Sequence, residues 1–211
     1  MSTPTSELIS AAIAIPSGVT ATNFFSSACD RNNDYFTTAD QRLQSFASHI
    51  DATQGGRLVV VGEAAGWRGA RQSGIAFTDA PTVGFPGTRE ASATTVRGVL
   101  ARHNLLTETL LWNALLLHPH RLGYPRSNRT PTWAELILGG AALDLATRSR
   151  TIICVGRNSA RAVAGLLSIP VDDVITSGVN SRAVFVRHPS HGGANIFRAQ
   201  FDEMVERLGL V

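Results

Sequence analysis

Four short β-type runs, each closed by a loop or a helical pattern, constrain this chain more than any other feature. They fall at residues 57–61, 109–117, 151–155 and 183–187. Helical spacing of apolar residues fills the intervals at 90–103, 131–149 and 158–167, and again after the last run at 195–208. Thr130 followed by Pro131 reads as an N-cap and first-turn pair for the second of these helices. Strands separated by helices of this length build βαβ units. The expected fold is therefore α/β, a three-layer α/β/α sandwich around a central four-stranded, mainly parallel sheet. The first fifty residues read as a helical or irregular lead-in. An alanine-rich helix over 6–15 is ended by Pro16, and helical spacing returns over 40–50 through Leu43, Phe46 and Ala47. Neither repeats nor low-complexity linkers mark a boundary, so one domain over 1–211 is expected.

Composition narrows the class. With 44% hydrophobic and 17% charged residues the chain is that of a globular enzyme rather than a disordered segment. No stretch reaches the roughly 18 apolar residues of a membrane span, and the N-terminus lacks the basic start of a signal peptide. Cys29 and Cys154 stand far apart without a CxxC partner, which argues against a disulfide framework or a cysteine metal site. A cytoplasmic, unprocessed protein is the expectation, with no metal or other cofactor. All 19 basic residues are arginine against 16 acids, giving a net charge of +3. Arginine forks suit phosphate, although an arginine-only set also reflects genome composition.

In parallel sheets ligands bind beyond the carboxyl ends of the strands, so the residues there carry the functional reading. The first run leads into Gly62-Glu63-Ala64-Ala65-Gly66 within a glycine-rich loop. A P-loop needs GxxxxGK[ST], but the chain has no lysine, and GxGxxG does not occur here. What remains is a carboxylate, Glu63, beside backbone that glycines let a ligand approach. The second run carries Asn113 in an apolar segment. Its amide either braces a loop or matches a nucleobase edge. The fourth run ends in Arg187-His188-Pro189-Ser190-His191, placing an imidazole and a hydroxyl on the same rim as Glu63.

This constellation resembles the uracil-DNA glycosylase superfamily over residues 57–205. GEAAG at 62–66 is similar to the GEAPG form of the family's first motif, and Gly74-Ile75-Ala76-Phe77 stands where the family places a base-stacking aromatic. WNALLLHP followed by NRTPTWAE supplies Asn113, Asn128, Arg129, Pro131 and Glu135 in the family's order. His188-Pro189-Ser190 corresponds to the closing motif. Ala65 replaces the usual proline, Ala64 occupies the place where some members carry a catalytic Asp or Asn, and two cysteines cannot form the four-cysteine iron–sulfur site of related branches. Gly192 stands where well-known members carry a duplex-wedging leucine.

The resemblance implies a DNA glycosylase that extrudes a pyrimidine and hydrolyses its N-glycosidic bond. Glu63 and His188 are the implied catalytic residues, with Phe77, Asn113 and Gly66 around the base. Arg68, Arg71, Arg129, Ser190 and His191 are the implied DNA contacts, the partner is DNA, and a monomer is expected. Members strict for uracil place a tyrosine at the position of Gly66, so either uracil or a bulky C5-modified pyrimidine, as found in phage DNA and implying a defence role, fits the motif. A binder of damaged DNA without turnover is a further alternative. A small-molecule hydrolase using His188 and Ser190 would need a GxSxG elbow, which is absent.

Overall fold

A computed structural model describes residues 4–32, 36–176 and 182–210. Residues 1–3 and 33–35 of the expected lead-in, and residues 177–181 and 211, lie outside the described residues. Four parallel strands form the central sheet: β2 (Leu58–Ala64), β3 (Thr109–Leu115), β5 (Thr151–Val155) and β6 (Ala183–Val186), in the order β3-β2-β5-β6. Along each strand alternate residues enter opposite cores, as the period of two requires. Val59, Val61, Leu110, Trp112, Ile152 and Cys154 join one core, whereas Leu58, Val60, Leu111, Ile153, Val155, Val184 and Val186 join the other. The first core is covered by α1 (Pro4–Ile13), α2 (Ala39–Ala52), α6 (Gly140–Thr147) and α7 (Arg157–Leu167). The second is covered by α4 (Ala91–Arg102) and α9 (Ala194–Arg207). This is the three-layer α/β/α sandwich expected from the sequence.

The helix expected over 131–149 is divided into α5 (Trp133–Leu138) and α6. At the junction a side chain on Gly139 would strike the carbonyl of Ala114, so the chain turns where it touches β3. The N-cap is Thr132 rather than Thr130, and its hydroxyl and the Glu135 carboxylate form a reciprocal capping box. The first strand runs three residues past the expected end and includes Glu63. Two further short α-helices among the described residues are α3 (Ala70–Ser73) and α8 (Val171–Ile175). No helix among the described residues is long and apolar enough to cross a membrane.

The lead-in is part of the packed structure. Arg42 is fully buried, pairs with Asp30 at 2.7 Å and donates from Nε to the carbonyl of Phe24 at 2.6 Å. Phe24, Phe25, Phe46 and Trp112 form a chain of ring contacts that ties the lead-in to β3. Strand β1 (Ala21–Thr22) pairs antiparallel with β4 (His118–Pro119), just beyond the carboxyl end of β3. Residues 4–22 thus buttress the segment that borders the cleft described next.

Candidate active site

A cleft of about 660 Å³ opens over the carboxyl ends of the strands. Glu63, Gly66, Phe77, Asn113, Arg129, His188, Ser190 and His191 all line it. Three strands bring them there: Glu63 lies near the end of β2, Asn113 on β3 and His188 two residues past β6.

The wall between β2 and β3 is built around Gly62, which pairs in register with Asn113. A Cβ on Gly62 would lie 2.5 Å from Asn113 Oδ1 and 2.7 Å from Phe77 Cζ. The missing side chain is what lets amide and ring converge. Asn113 is buried, and no side-chain hydrogen bond among the described residues involves its amide. The loop-bracing alternative therefore lacks a partner, and the amide is left for whatever fills the cleft. Phe77 holds φ 49°, a left-handed conformation costing about 1–3 kcal/mol for a residue with a Cβ. The ring is nevertheless buried, with its centroid 6.4 Å from that of His188.

The backbone N–H of Ser190 donates to His188 Nδ1 at 3.1 Å, which makes Nδ1 an acceptor and leaves the hydrogen on Nε2. The Ser190 hydroxyl lies 2.8 Å from the same nitrogen and 3.0 Å from Nδ1 of His191. Burial, with help from the charge of His191, lowers the His188 pKa and keeps the ring neutral. Across the cleft, Glu63 accepts a hydrogen bond from Asn158 Nδ2 at 2.8 Å. Burial raises the Glu63 pKa while the Asn158 bond opposes the rise. The site thus offers a carboxylate, a neutral imidazole donor, an aromatic face and a free amide.

Two arginines are not where the sequence reading put them. Arg71, expected to contact DNA, lies in α3 with 2% exposure and cannot reach a phosphate outside. Arg129 reaches the cleft, but its guanidinium is engaged within the fold. Nε donates to the carbonyl of His120 at 3.1 Å, Nη1 to Thr130 O and Glu135 Oε2 at 3.0 and 2.8 Å, and Nη2 to Thr20 O and Glu135 Oε1 at 2.9 and 2.5 Å. All five N–H groups have protein acceptors, so Arg129 braces the loop and has no donor left for a phosphate. Arg68 is exposed beside the first motif, with its guanidinium carbon 4.6 Å from the ring centroid of Trp67.

Sequence reasoning missed Asn158 and Glu90. Asn158 follows β5, and the rule that pointed to the other strand ends points there too. Glu90, the N-cap residue of α4, carries no sequence signal. A Cβ on Gly66 would lie 2.6 Å from Glu90 Oε1, so the space beside Gly66 holds a carboxyl group rather than standing open. Burial, followed by the charge of Asp79, raises the Glu90 pKa to about 7 against a hydrogen bond from Ser92. Among the described residues no cluster of three His, Cys, Asp or Glu side chains is placed to hold a metal ion.

Comparison with solved structures bears on the fold. SMUG2 of Pedobacter heparinus superposes with a TM-score of 0.64 at 12% identity, covering 100% of both chains. A mutant of UNG from Nitratifractor salsuginis gives 0.52 at 16% identity, covering 99% of this chain and 92% of its own. No curated protein matches the sequence. The model of the uracil DNA glycosylase superfamily matches residues 50–209. That span holds every strand of the central sheet and every residue of the cleft, and the chain belongs to the uracil DNA glycosylase superfamily, a DNA N-glycosylase and hence a hydrolase.

Proposed function

We propose that the protein excises uracil from DNA, with the extruded base stacked on Phe77 and its O4/N3 edge read by Asn113. The observation that carries this reading is the meeting of Glu63, Phe77, Asn113 and His188 in one cleft. Breaking the N-glycosidic bond leaves positive charge on the sugar and negative charge on the base. Glu63 stabilises the cationic sugar and orients water against C1′. His188 donates from Nε2 to the base O2 as charge builds there. A preorganised donor of this kind lowers the barrier by about 3–4 kcal/mol. Because His188 is neutral, its donor strength acts as charge develops rather than by pairing with a ground-state anion. Ser190, His191 and the backbone amides of the loops hold the flanking phosphates.

A second reading follows from the Glu90 carboxyl beside Gly66. A pyrimidine whose C5 substituent is polar finds a hydrogen-bonding group there instead of an aromatic wall, which favours hydroxylated or larger C5-modified bases of the kind found in phage DNA. The test is a panel of single-stranded and duplex oligonucleotides carrying uracil, mismatched thymine, hypoxanthine, 5-hydroxymethyluracil or bulky C5-modified cytosine, scored for alkali-labile sites. Excision by wild type that is lost in Glu63→Gln and His188→Ala supports the assignment. Equal activity in both variants would sink it, and preference for a C5-modified base would replace uracil by the second reading.

A further inference from the structure

The segment between β4 and α5 carries two large, exposed apolar side chains beside the cleft. Leu122 and Tyr124 are each 69% exposed at the tip of a turn. Pro119 on one side of the turn and Asn128, Arg129 and Thr130 on the other line the cleft. Exposed apolar groups of this size on a mobile loop would fold back onto the protein. Here the backbone prevents it. Arg121 and Tyr124 form a bridge with Tyr124 N–H donating to Arg121 O at 2.9 Å, and Gly123 supplies the left-handed residue at φ 75°. Ser127 locks the turn from below: its hydroxyl donates to Tyr124 O at 2.7 Å and accepts from Arg121 N–H at 2.9 Å.

The base of the turn is held as firmly. Arg129 ties His120, Thr20 and Glu135 together. His118 sits between the carbonyls of Ala65 in the first motif and Pro125 in the turn, at 2.8 and 2.9 Å. Asn128 Oδ1 accepts the N–H of Trp67 at 2.9 Å. The turn is thereby fixed relative to the loop that follows Glu63 and β2. Arg121 and Arg126 flank the tip and are exposed, giving it the positive charge that a phosphate backbone attracts.

We propose that the Leu122–Tyr124 turn is the device that opens duplex DNA, inserting its apolar tip into the base stack at the place the extruded nucleotide vacates. Extrusion breaks stacking and pairing that a protein must replace, and apolar wedges inserted between base steps do so elsewhere. A rigid turn with two exposed apolar side chains, arginines beside them and the cleft mouth adjacent provides that replacement. The lattice of hydrogen bonds around Arg129 acquires a role as well: it is the anchor against which the wedge pushes. The alternative position for a wedge is the loop after His188, where Gly192 has no side chain and Ile196, 49% exposed in the first turn of α9, is the nearest large apolar group.

The inference rests on the glycosylase reading above, and the test separates the two. Full-length wild type, Leu122→Ala, Tyr124→Ala and Ile196→Ala are compared on the preferred base in single-stranded and in duplex DNA. Each turn variant should lower the duplex to single-strand ratio of kcat/KM by about tenfold, the loss of one stacked side chain, while Ile196→Ala leaves it unchanged. A ratio unaltered in both turn variants, an equal loss on both substrates, or a fall in the ratio confined to Ile196→Ala would overturn the proposal. Absence of excision by wild type on either substrate would remove the glycosylase reading and the kcat/KM comparison with it, and the wedge is then decided by base unstacking alone. Fluorescence of 2-aminopurine placed beside the target base in duplex DNA then reports unstacking directly. An increase with wild type that is lost in Leu122→Ala and Tyr124→Ala supports the wedge, and no dependence on them overturns it.

Discussion

Gly62→Ala is the substitution that most directly tests how the base slot is built. The added Cβ would lie 2.5 Å from Asn113 Oδ1 and 2.7 Å from the Phe77 ring. Ordinary contact needs about 3.5 Å, so Asn113 must retreat by roughly 1 Å and Phe77 by roughly 0.8 Å. Neither has an easy route. Gly62 is paired with Asn113 in the sheet, and Phe77 is buried on backbone already in a left-handed conformation. Overpacking of this kind costs about 1–3 kcal/mol of stability, or roughly 2–12 °C of Tm in a chain of this size. Displacement of reading and stacking groups by nearly 1 Å is expected to lower kcat/KM by about 10–100-fold. The assay is steady-state excision on a defined oligonucleotide, normalised to folded protein, with thermal unfolding alongside. Gly98→Ala is the control, since Gly98 lies within α4 with nothing near its Cβ position and should gain about 0.5–1 kcal/mol with unchanged activity. Wild-type kcat/KM in Gly62→Ala would refute the claim that this glycine sets the slot.

Other consequences follow from the charged groups. With Glu63 acting as a carboxylate, as proposed, the acid limb of the pH–rate profile should report its raised pKa; Asn158→Ala removes the opposing hydrogen bond and should move that limb to higher pH. Glu90 is held near 7 against an ordinary 4.5, so its protonated form favours the folded state. Stability should therefore fall as pH rises from 4.5 to 7, by up to about 3 kcal/mol from this group. Urea unfolding of Glu90→Gln should show a flatter dependence over that interval, and an unchanged slope would count against a buried acid there. Glu135 behaves oppositely: Arg129 holds its pKa at about 2, so its contribution is complete above 4.5 and is lost as pH falls towards 2. Arg129→Ala should destabilise the protein by about 2–3 kcal/mol through the unpaired Glu135, and calorimetry on the variant measures this.

The sequence was most informative where burial leaves a simple pattern. Strands covered on both faces read as continuous apolar runs, so β2, β3, β5 and β6 were visible, and the polar residues interrupting or ending them marked the cleft. It was least informative where a role depends on a distant partner. Arg71 and Arg129 were indistinguishable from Arg68 as letters, yet burial and five internal acceptors withdraw them from the DNA-facing surface. Glu90 gained its place from the path of the loop before α4, and no periodicity encodes that. The break at Gly139 arose from contact with β3, which outweighs the helical propensity on either side. The two helices of the lead-in were legible over 6–15 and 40–50, but not how it docks, because that rests on Arg42, Asp30 and a run of aromatic contacts reaching β3 rather than on a local repeat.

The strand order β3-β2-β5-β6 places Glu63 and Asn113 on neighbouring strands but puts β5 between Glu63 and the strand that delivers His188. Two strand spacings amount to about 10 Å, a separation written in backbone hydrogen bonds that no side-chain change can alter. The sheet therefore acts as a fixed jaw gap into which a nucleoside must fit. Loops above it, with Gly66, Glu90 and the Leu122–Tyr124 turn, are free to drift. On the proposed roles, a lineage of such proteins can change which base it accepts, and how it opens the duplex, while the distance between the groups on the two sides of the bond stays the same.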